Sequence, residues 1–316
     1  MTGEWCNFIN LFQRLIRADQ FISGMDLLEN WGIEAVKKRD DINFYGSPER
    51  CLKRELYEDK NGNVYILESI LDVEKKRRIA EALDEIHHGL PVSRYLKSIN
   101  GEYVVDYGLR SYLVSKYVFG EELARPGFVN DKWRGRALAE FLIELRNKKP
   151  SSELKGVSLA EYIKDFCNKM NMEDYYQFLS MFFRANLKRD FCHGDLHPLN
   201  VVWGKDKINA VIDWEFCGEN YRGYDAANLL GCLGIEHPDY LFSPLAIEFM
   251  TTLIRAEYFN ENELGFLLEL ILAIRFGWLA EWLRKNDSEM IELEKNYMAF
   301  LKNNHQKIRS RFFRLG

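Results

Sequence analysis

No two of the six cysteines (Cys6, Cys51, Cys167, Cys192, Cys217 and Cys232) form a C-x-x-C pair. Their wide spacing excludes the usual zinc frameworks and the disulfide scaffolds of small secreted domains. They read as reduced thiols of a cytoplasmic protein. No apolar run approaches the ~18 residues that would cross a bilayer. Within the first twenty residues, Glu4, Asn7, Gln13, Arg14 and Asp19 interrupt any apolar core that a secretory leader would need. A basic field is missing as well: 43 Lys and Arg face 48 Asp and Glu, for a net charge of -5. Nucleic acid and membrane are therefore not expected as partners, while a cationic substrate is tolerated. There is no internal repeat and no low-complexity linker.

What is present is an ordinary globular composition, 47% hydrophobic and 29% charged, in a chain of 316 residues. That length exceeds the usual limit of one hydrophobic core and predicts two lobes. Residues 5–31 carry Trp5, Phe8, Ile9, Phe12, Leu15 and Ile16 at helical spacing, so an amphipathic helix is expected first. Short runs rich in β-branched and aromatic residues follow at 42–46, 51–58, 63–71, 102–106 and 111–118, separated by turn signals such as Gly46-Ser47-Pro48 and Asn100-Gly101. Asn61-Gly62 between two such runs predicts a tight hairpin. The charged stretch Asp72–His88 predicts one helix after the third strand.

Beyond Gly120 the pattern turns helical, over 132–147, 159–171, 173–186, 245–258, 261–285 and 288–309. The exception is 190–216, where short apolar strands alternate with dense polar motifs. The expected architecture is α+β: a small antiparallel sheet with one inserted helix over residues 1–118, and a mainly helical lobe over 119–316.

The strongest motif is His193-Gly194-Asp195-Leu196-His197-Pro198-Leu199-Asn200, followed by Ile212-Asp213-Trp214. Phosphoryl transfer needs a carboxylate to orient and deprotonate the attacking hydroxyl, and hard oxygen ligands for magnesium. Asp195 and Asn200, five residues apart, lie on one loop, and Asp213 ends an apolar strand thirteen residues later. The combined string resembles the aminoglycoside phosphotransferase and choline kinase superfamily, a branch of the protein-kinase-like fold. The resemblance runs from about residue 40 to 235. It implies Asp195 as catalytic base, Asn200 and Asp213 as ligands of Mg2+, and ATP or GTP as co-substrate. Tyr224-Asp225-Ala226-Ala227-Asn228-Leu229 resembles the family's segment that braces the catalytic loop. His193 is expected to support the loop backbone, and Asp225 to be structural.

On the nucleotide side the pattern departs. Tyr45-Gly46-Ser47-Pro48-Glu49-Arg50-Cys51 occupies the place of a phosphate-covering loop but is not G-x-G-x-x-G. Tyr112–Gly120 resembles the strand and hinge between lobes, which implies adenine binding by backbone groups of Lys116 and Val118. On the third strand, where relatives carry a phosphate-contacting lysine, this chain has Glu68. Because a carboxylate repels phosphate, two routes are open. Arg50, Lys53 or Arg54 supplies the cation, or the ion pair is reversed, with Glu68 facing Arg77 or Arg78. A solvated Glu68 in another register is the third reading.

For the acceptor, Trp278 and Trp282 share a helical face with Arg275, and Glu281 lies beside them. Two indoles and a carboxylate suit a cationic amine, although aromatic stripes at this spacing also build cores. Glu219, Asn220 and Tyr221 follow the metal strand and are further candidates. An amino alcohol, an amino sugar or a sugar is the expected acceptor. A protein Ser/Thr kinase is disfavoured, because only ten residues separate Asp213 from Tyr224. A nucleotide-binding module without turnover is the remaining alternative.

Overall fold

The computed structural model describes residues 23–44, 51–156 and 158–315. Most of the helix expected over 5–31 lies outside them, as do residues 45–50 with Arg50. The chain divides into two compact units, one formed by the chain up to His87 with Pro91–Phe119, the other by His88–Leu90 with residues from Gly120 onward.

In the first unit a short helix, α1 (Gly24–Leu28), opens on the side-chain cap of Ser23. Five strands follow: β1 (Ala35–Lys38), β2 (Cys51–Asp59), β3 (Val64–Ile70), β4 (Val105–Tyr107) and β5 (Arg110–Lys116). All pair antiparallel in the order β1-β2-β3-β5-β4. The first strand differs from expectation: it lies at 35–38, while Ile42, Asn43 and Phe44 are irregular. Polar Lys37 and Lys38 hide β1 from a hydrophobic pattern, because an edge strand buries little.

The Asn61-Gly62 hairpin forms as expected. Asp59 Oδ1 accepts the backbone N–H groups of Asn61 at 2.9 Å and Asn63 at 2.8 Å, closing the turn. Helix α2 (Val73–Ile86) follows β3, capped by Asp72, whose side chain accepts the N–H of Lys75. It lays Ala80 against Ile70, Tyr103, Val104 and Leu113.

The second unit is mainly helical: α3 (Lys132–Leu145), α4 (Leu159–Met170), α5 (Glu173–Arg184), α6 (Tyr224–Glu236), α7 (Pro244–Arg255), α8 (Glu261–Gly265), α9 (Leu267–Lys285), α10 (Ser288–Asn303) and α11 (His305–Phe313). Two small hairpin-like pairs interrupt it. One joins β6 (Arg189–Cys192) to β9 (Gly218–Tyr221); the other joins β7 (Val201–Trp203) to β8 (Ile208–Val211).

The long patterns at 261–285 and 288–309 each split, at Phe266 and at Asn304. Helix α6 was not expected from periodicity, because ten of its 13 residues are buried and it shows no polar face. No helix among the described residues is long and apolar enough to cross a membrane.

Candidate active site

Strand β6 ends at Cys192 and hands the chain to His193-Gly194-Asp195. Gly194 has φ +85°, and a Cβ on it would stand 2.1 Å from the Phe216 carbonyl oxygen, so only glycine fits. The bend is held from α6. Asp225 accepts the N–H of His193 on Oδ2 and that of Gly194 on Oδ1, both at 2.8 Å. This carboxyl is fully enclosed, and burial pushes its pKa up from the ordinary 3.8. It braces the loop, as the sequence suggested, and has no route to a substrate proton.

His193 completes the brace. Its Nδ1 accepts the Asp195 N–H at 3.2 Å, so Nε2 carries the hydrogen and donates it to the Ile212 carbonyl at 2.9 Å. Both nitrogens are occupied in the neutral form, and burial lowers the pKa below the ordinary 6.5. The ring joins the loop to the strand before Asp213.

The Asp195 carboxylate is fixed from two sides. Oδ2 accepts from Asn200 Nδ2 at 3.1 Å, and Oδ1 accepts from Asn228 Nδ2 at 3.2 Å. His197 Nε2 stands 3.7 Å from Oδ2. A 3-10 turn over Pro198–Asn200 brings Asn200 back, and its Nδ2 also caps the Asp195 carbonyl at 2.9 Å. With that nitrogen committed, the amide oxygen is the atom of Asn200 suited to a cation.

The Asn200 carbonyl accepts the N–H of Ile212 at 3.0 Å, which sets Asp213 beside it. Asp213 has φ +62°, a left-handed conformation that a non-glycine residue adopts at a cost and that clusters at functional sites. An amide oxygen and a carboxylate fit a magnesium ion that takes its remaining ligands from phosphate and water. Among the described residues no group of three or more His, Cys, Asp or Glu converges as a metal site. Such a cluster is not what this chemistry requires.

The structure thus draws Asp195, Asn200 and Asp213 together, and adds Asn228. The sequence carried a signal for it: Asn228 follows Asp225 by three residues, so both face the loop from one side of α6. The Asn228 side chain also reaches α9. Trp278 Nε1 lies 3.5 Å from Asn228 Oδ1, and the Trp278 ring stacks on Trp282 at 5.8 Å. Both indoles are half-buried rather than core. Trp282 Nε1 donates at 3.3 Å to Glu294, which receives Arg275 through two 2.5 Å bonds. Glu281 is bound by Arg284 at 2.6 Å and Lys285 at 3.4 Å. Those cations hold its pKa down to about 2. Its charge is largely answered locally. Of the other candidates, Tyr221 and Asn220 are buried in β9, and Glu219 is exposed.

In the first unit, Glu68 is buried, which removes the solvated reading. In the sheet register it pairs with Arg54 on β2 and Leu113 on β5. Arg54 Nε donates to its Oε1 at 2.5 Å, and Lys76 Nζ of α2 lies 3.9 Å from Oε2. The pair is therefore reversed, as one expectation had it, but the helix cation is Lys76. Arg77 and Arg78 instead bind Glu74 at the surface, because Lys76 is the residue on the buried face of α2. Lys53 is exposed and bonds Glu55 at 2.9 Å. Lys116 ends β5, and Tyr117 returns a bond to Val64 at 2.8 Å. The backbone of Val118 makes no backbone hydrogen bond among the described residues.

Residues 68–267 match the model of the phosphotransferase enzyme family. The chain belongs to this family. As a phosphotransferase it has the two-part mixed architecture of its structural neighbours: an antiparallel five-stranded sheet and a largely helical remainder. An aminoglycoside phosphotransferase from Alicyclobacillus acidocaldarius superposes with a TM-score of 0.64 at 13% identity, over 93% of this chain and 96% of that one. The amicoumacin kinase hAmiN, solved with AMP-PNP, Ca2+ and Ami, gives 0.60 at 14% identity, over 83% and 90%. In sequence, a probable ethanolamine kinase B of Dictyostelium discoideum is 48% identical over 40 residues. That stretch spans 12% of this phosphotransferase and 9% of the relative.

Proposed function

We propose that this phosphotransferase moves the γ-phosphoryl group of ATP or GTP to a hydroxyl of a small metabolite: an amino alcohol, an amino sugar or a sugar. The observation that carries the reading is the Asp195 carboxylate, held by Asn200 and Asn228 and set beside the Asn200–Asp213 pair. Asp195 accepts the proton of the acceptor hydroxyl as that oxygen attacks phosphorus. Two side-chain amides donating to the carboxylate fix its rotamer, which keeps the acceptor oxygen in line at little entropic cost. Asn200 and Asp213 hold Mg2+, which when bound neutralises charge on the phosphate oxygens.

The first lobe, 1–118, binds the nucleotide, and 119–316 carries the catalytic loop and the acceptor site. Backbone groups at Lys116 and Val118 serve the base. The phosphate-contacting cation comes from Arg54 or Lys76, seated on Glu68, or from Arg50, which lies outside the described residues. The stacked Trp278 and Trp282 offer an aromatic wall to an amine. With Glu281 already paired, the rings rather than the carboxylate supply that attraction. A cytoplasmic location is part of this proposal, in keeping with six cysteines too widely spaced for a disulfide scaffold or a zinc framework.

The test is a screen of amino alcohols, amino sugars, sugars and nucleosides for Mg2+-dependent nucleotide consumption. One acceptor class should raise the rate above background, and Asp195→Asn should lower kcat on the order of a thousandfold or more, with nucleotide affinity retained. A flat screen, together with nucleotide binding that Asp195→Asn leaves untouched, would favour a binding module without turnover.

A further inference from the structure

The loop after α3 is pressed flat onto β9. Gly156 donates its N–H to the Glu219 carbonyl at 2.9 Å, and Glu219 returns its own N–H to the Leu154 carbonyl at 2.8 Å. Neither glycine in this contact has room for a side chain. A Cβ on Gly156 would stand 2.5 Å from Glu219 O, and one on Gly218 would stand 2.8 Å from Leu154 O. The contact is built, not incidental.

Between this loop and the β6–β9 pair lies a cavity of about 620 Å³. That falls within the range of roughly 300–1,000 Å³ typical of small-molecule sites. Its lining includes none of Asp195, Asn200, Asp213, Trp278 or Trp282, and of the residues considered above for the acceptor it includes Glu219 alone.

The charge of the cavity has one dominant sign. Five basic side chains, Arg146, Lys148, Lys149, Lys155 and Arg189, line it against three acids. One of those acids is already answered: Asp190 receives Arg222 through bonds of 2.6 and 3.1 Å. Arg146 and Lys148 are anchored by carbonyl oxygens, of Glu257 at 3.1 Å and His88 at 2.7 Å, and Lys148 also pairs with Glu144 at 3.2 Å. Arg189 lies over the Tyr221 ring. Lys149 and Lys155, by contrast, have no ion-pair partner among the described residues. Ser152 lines the same wall, and its hydroxyl, closed off from solvent, has no hydrogen-bond partner among the described residues.

We infer that this cavity is a second binding site for a small molecule bearing a phosphate group, held by Lys149 and Lys155, with the Ser152 hydroxyl as a further donor once it turns about its Cα–Cβ bond. Cations on flexible stems with an adjacent donor suit a phosphate monoester better than a cationic or neutral guest. The occupant lies against Asp190 and Phe191 of β6, on the strand that runs directly into the catalytic loop. Phosphate can reach it as the free ion or as part of a phosphorylated metabolite, and the probes separate the two.

The full-length protein, in EDTA and without nucleotide, is titrated by calorimetry and by NMR with inorganic phosphate and with glycerol 3-phosphate, at constant ionic strength set by chloride. Saturable binding of at least one phosphate probe is expected. It should weaken at least tenfold in the Lys149→Glu/Lys155→Glu variant, weaken less in Ser152→Ala, and stay unchanged in Asp195→Asn. A tighter complex with glycerol 3-phosphate identifies a phosphorylated metabolite as the occupant, and equal affinities identify phosphate itself. Both lysines are exposed, so the double variant should fold, and its melting curve checks this. The inference is overturned if no probe saturates, if chloride competes one-for-one, or if the double lysine variant binds as wild type does. None of these readouts requires turnover, so failure here leaves the proposed reaction standing, and the reverse also holds.

Discussion

Asn228 makes three contacts that no single-residue motif announces: Asp195 Oδ1, the Leu196 carbonyl, and the Trp278 indole. It therefore joins the proposed base to the proposed acceptor wall. Changing Asn228→Asp sets a second carboxylate about where the amide now sits, 3.2 Å from Asp195 in the native protein. Like charges at that range oppose one another's ionisation. The acidic limb of the kcat profile should move to higher pH, and kcat at neutral pH should fall on the order of tenfold to a hundredfold. A steady-state pH profile of the variant beside wild type measures both, and a merely structural Asn228 would lower kcat without moving the limb. At this scale the sequence was informative for Asp195, Asn200 and Asp213, because a short loop and the β7–β8 hairpin place them locally. It was silent on which rotamer each adopts, since Asn228 and Trp278 arrive from helices far along the chain.

Two pairs of elements are stitched by ion pairs whose geometry makes distinct claims. On β3, buried Glu68 receives Arg54 of β2 and lies near Lys76 of α2. Glu68→Lys alone collects three cations and should lower the melting temperature. Adding Lys76→Glu restores an opposite pair across the same elements and should recover part of the loss. A double-mutant thermal-melt cycle reads the coupling, and strictly additive effects would mean the two side chains do not interact.

Between α9 and α10, Arg275 and Glu294 form a fully enclosed two-bond pair that also receives Trp282. Arg275→Met should cost about 3–5 kcal/mol by leaving Glu294 buried and unpaired. Arg275→Met with Glu294→Leu should be far milder, because no buried charge remains; urea titrations measure both. The helix pattern identified α9 and its indoles, yet it could not separate a core stripe from a half-buried wall. Periodicity reports which face points inward, whereas exposure depends on what α10 and α6 leave uncovered.

For the molecule as a whole, the buried histidine–aspartate brace gives stability a pH dependence of defined sign. Burial lowers the His193 pKa below 6.5. Below about pH 6.5 the unfolded chain therefore takes up a proton that the folded chain refuses. This contribution is complete above that pH and is lost as the pH falls toward the folded value. Asp225, pushed up by burial from 3.8, works in the opposite direction: the folded state keeps a proton that the unfolded chain sheds as pH rises above that value. Comparing wild type with His193→Asn between pH 7 and 5 subtracts the aspartate. Wild type should lose more stability on acidification than the variant, and parallel curves would refute the assignment.

The sequence by itself determined the reaction class, the strand-rich and helix-rich parts, and the loop carrying Asp195 and Asn200. Each of those rests on residues close together in the chain, where spacing and local propensity suffice. It missed β1, which buries too little to show a pattern, and α6, which buries too much to show a polar face. Only the tertiary structure decided that Lys76 rather than Arg77 or Arg78 faces Glu68, that Asn228 holds the Asp195 carboxylate, and that β9 and a distant loop line a basic cavity. These depend on which buried faces meet across long separations, and hydrophobic burial, being non-directional, leaves that choice to packing as a whole.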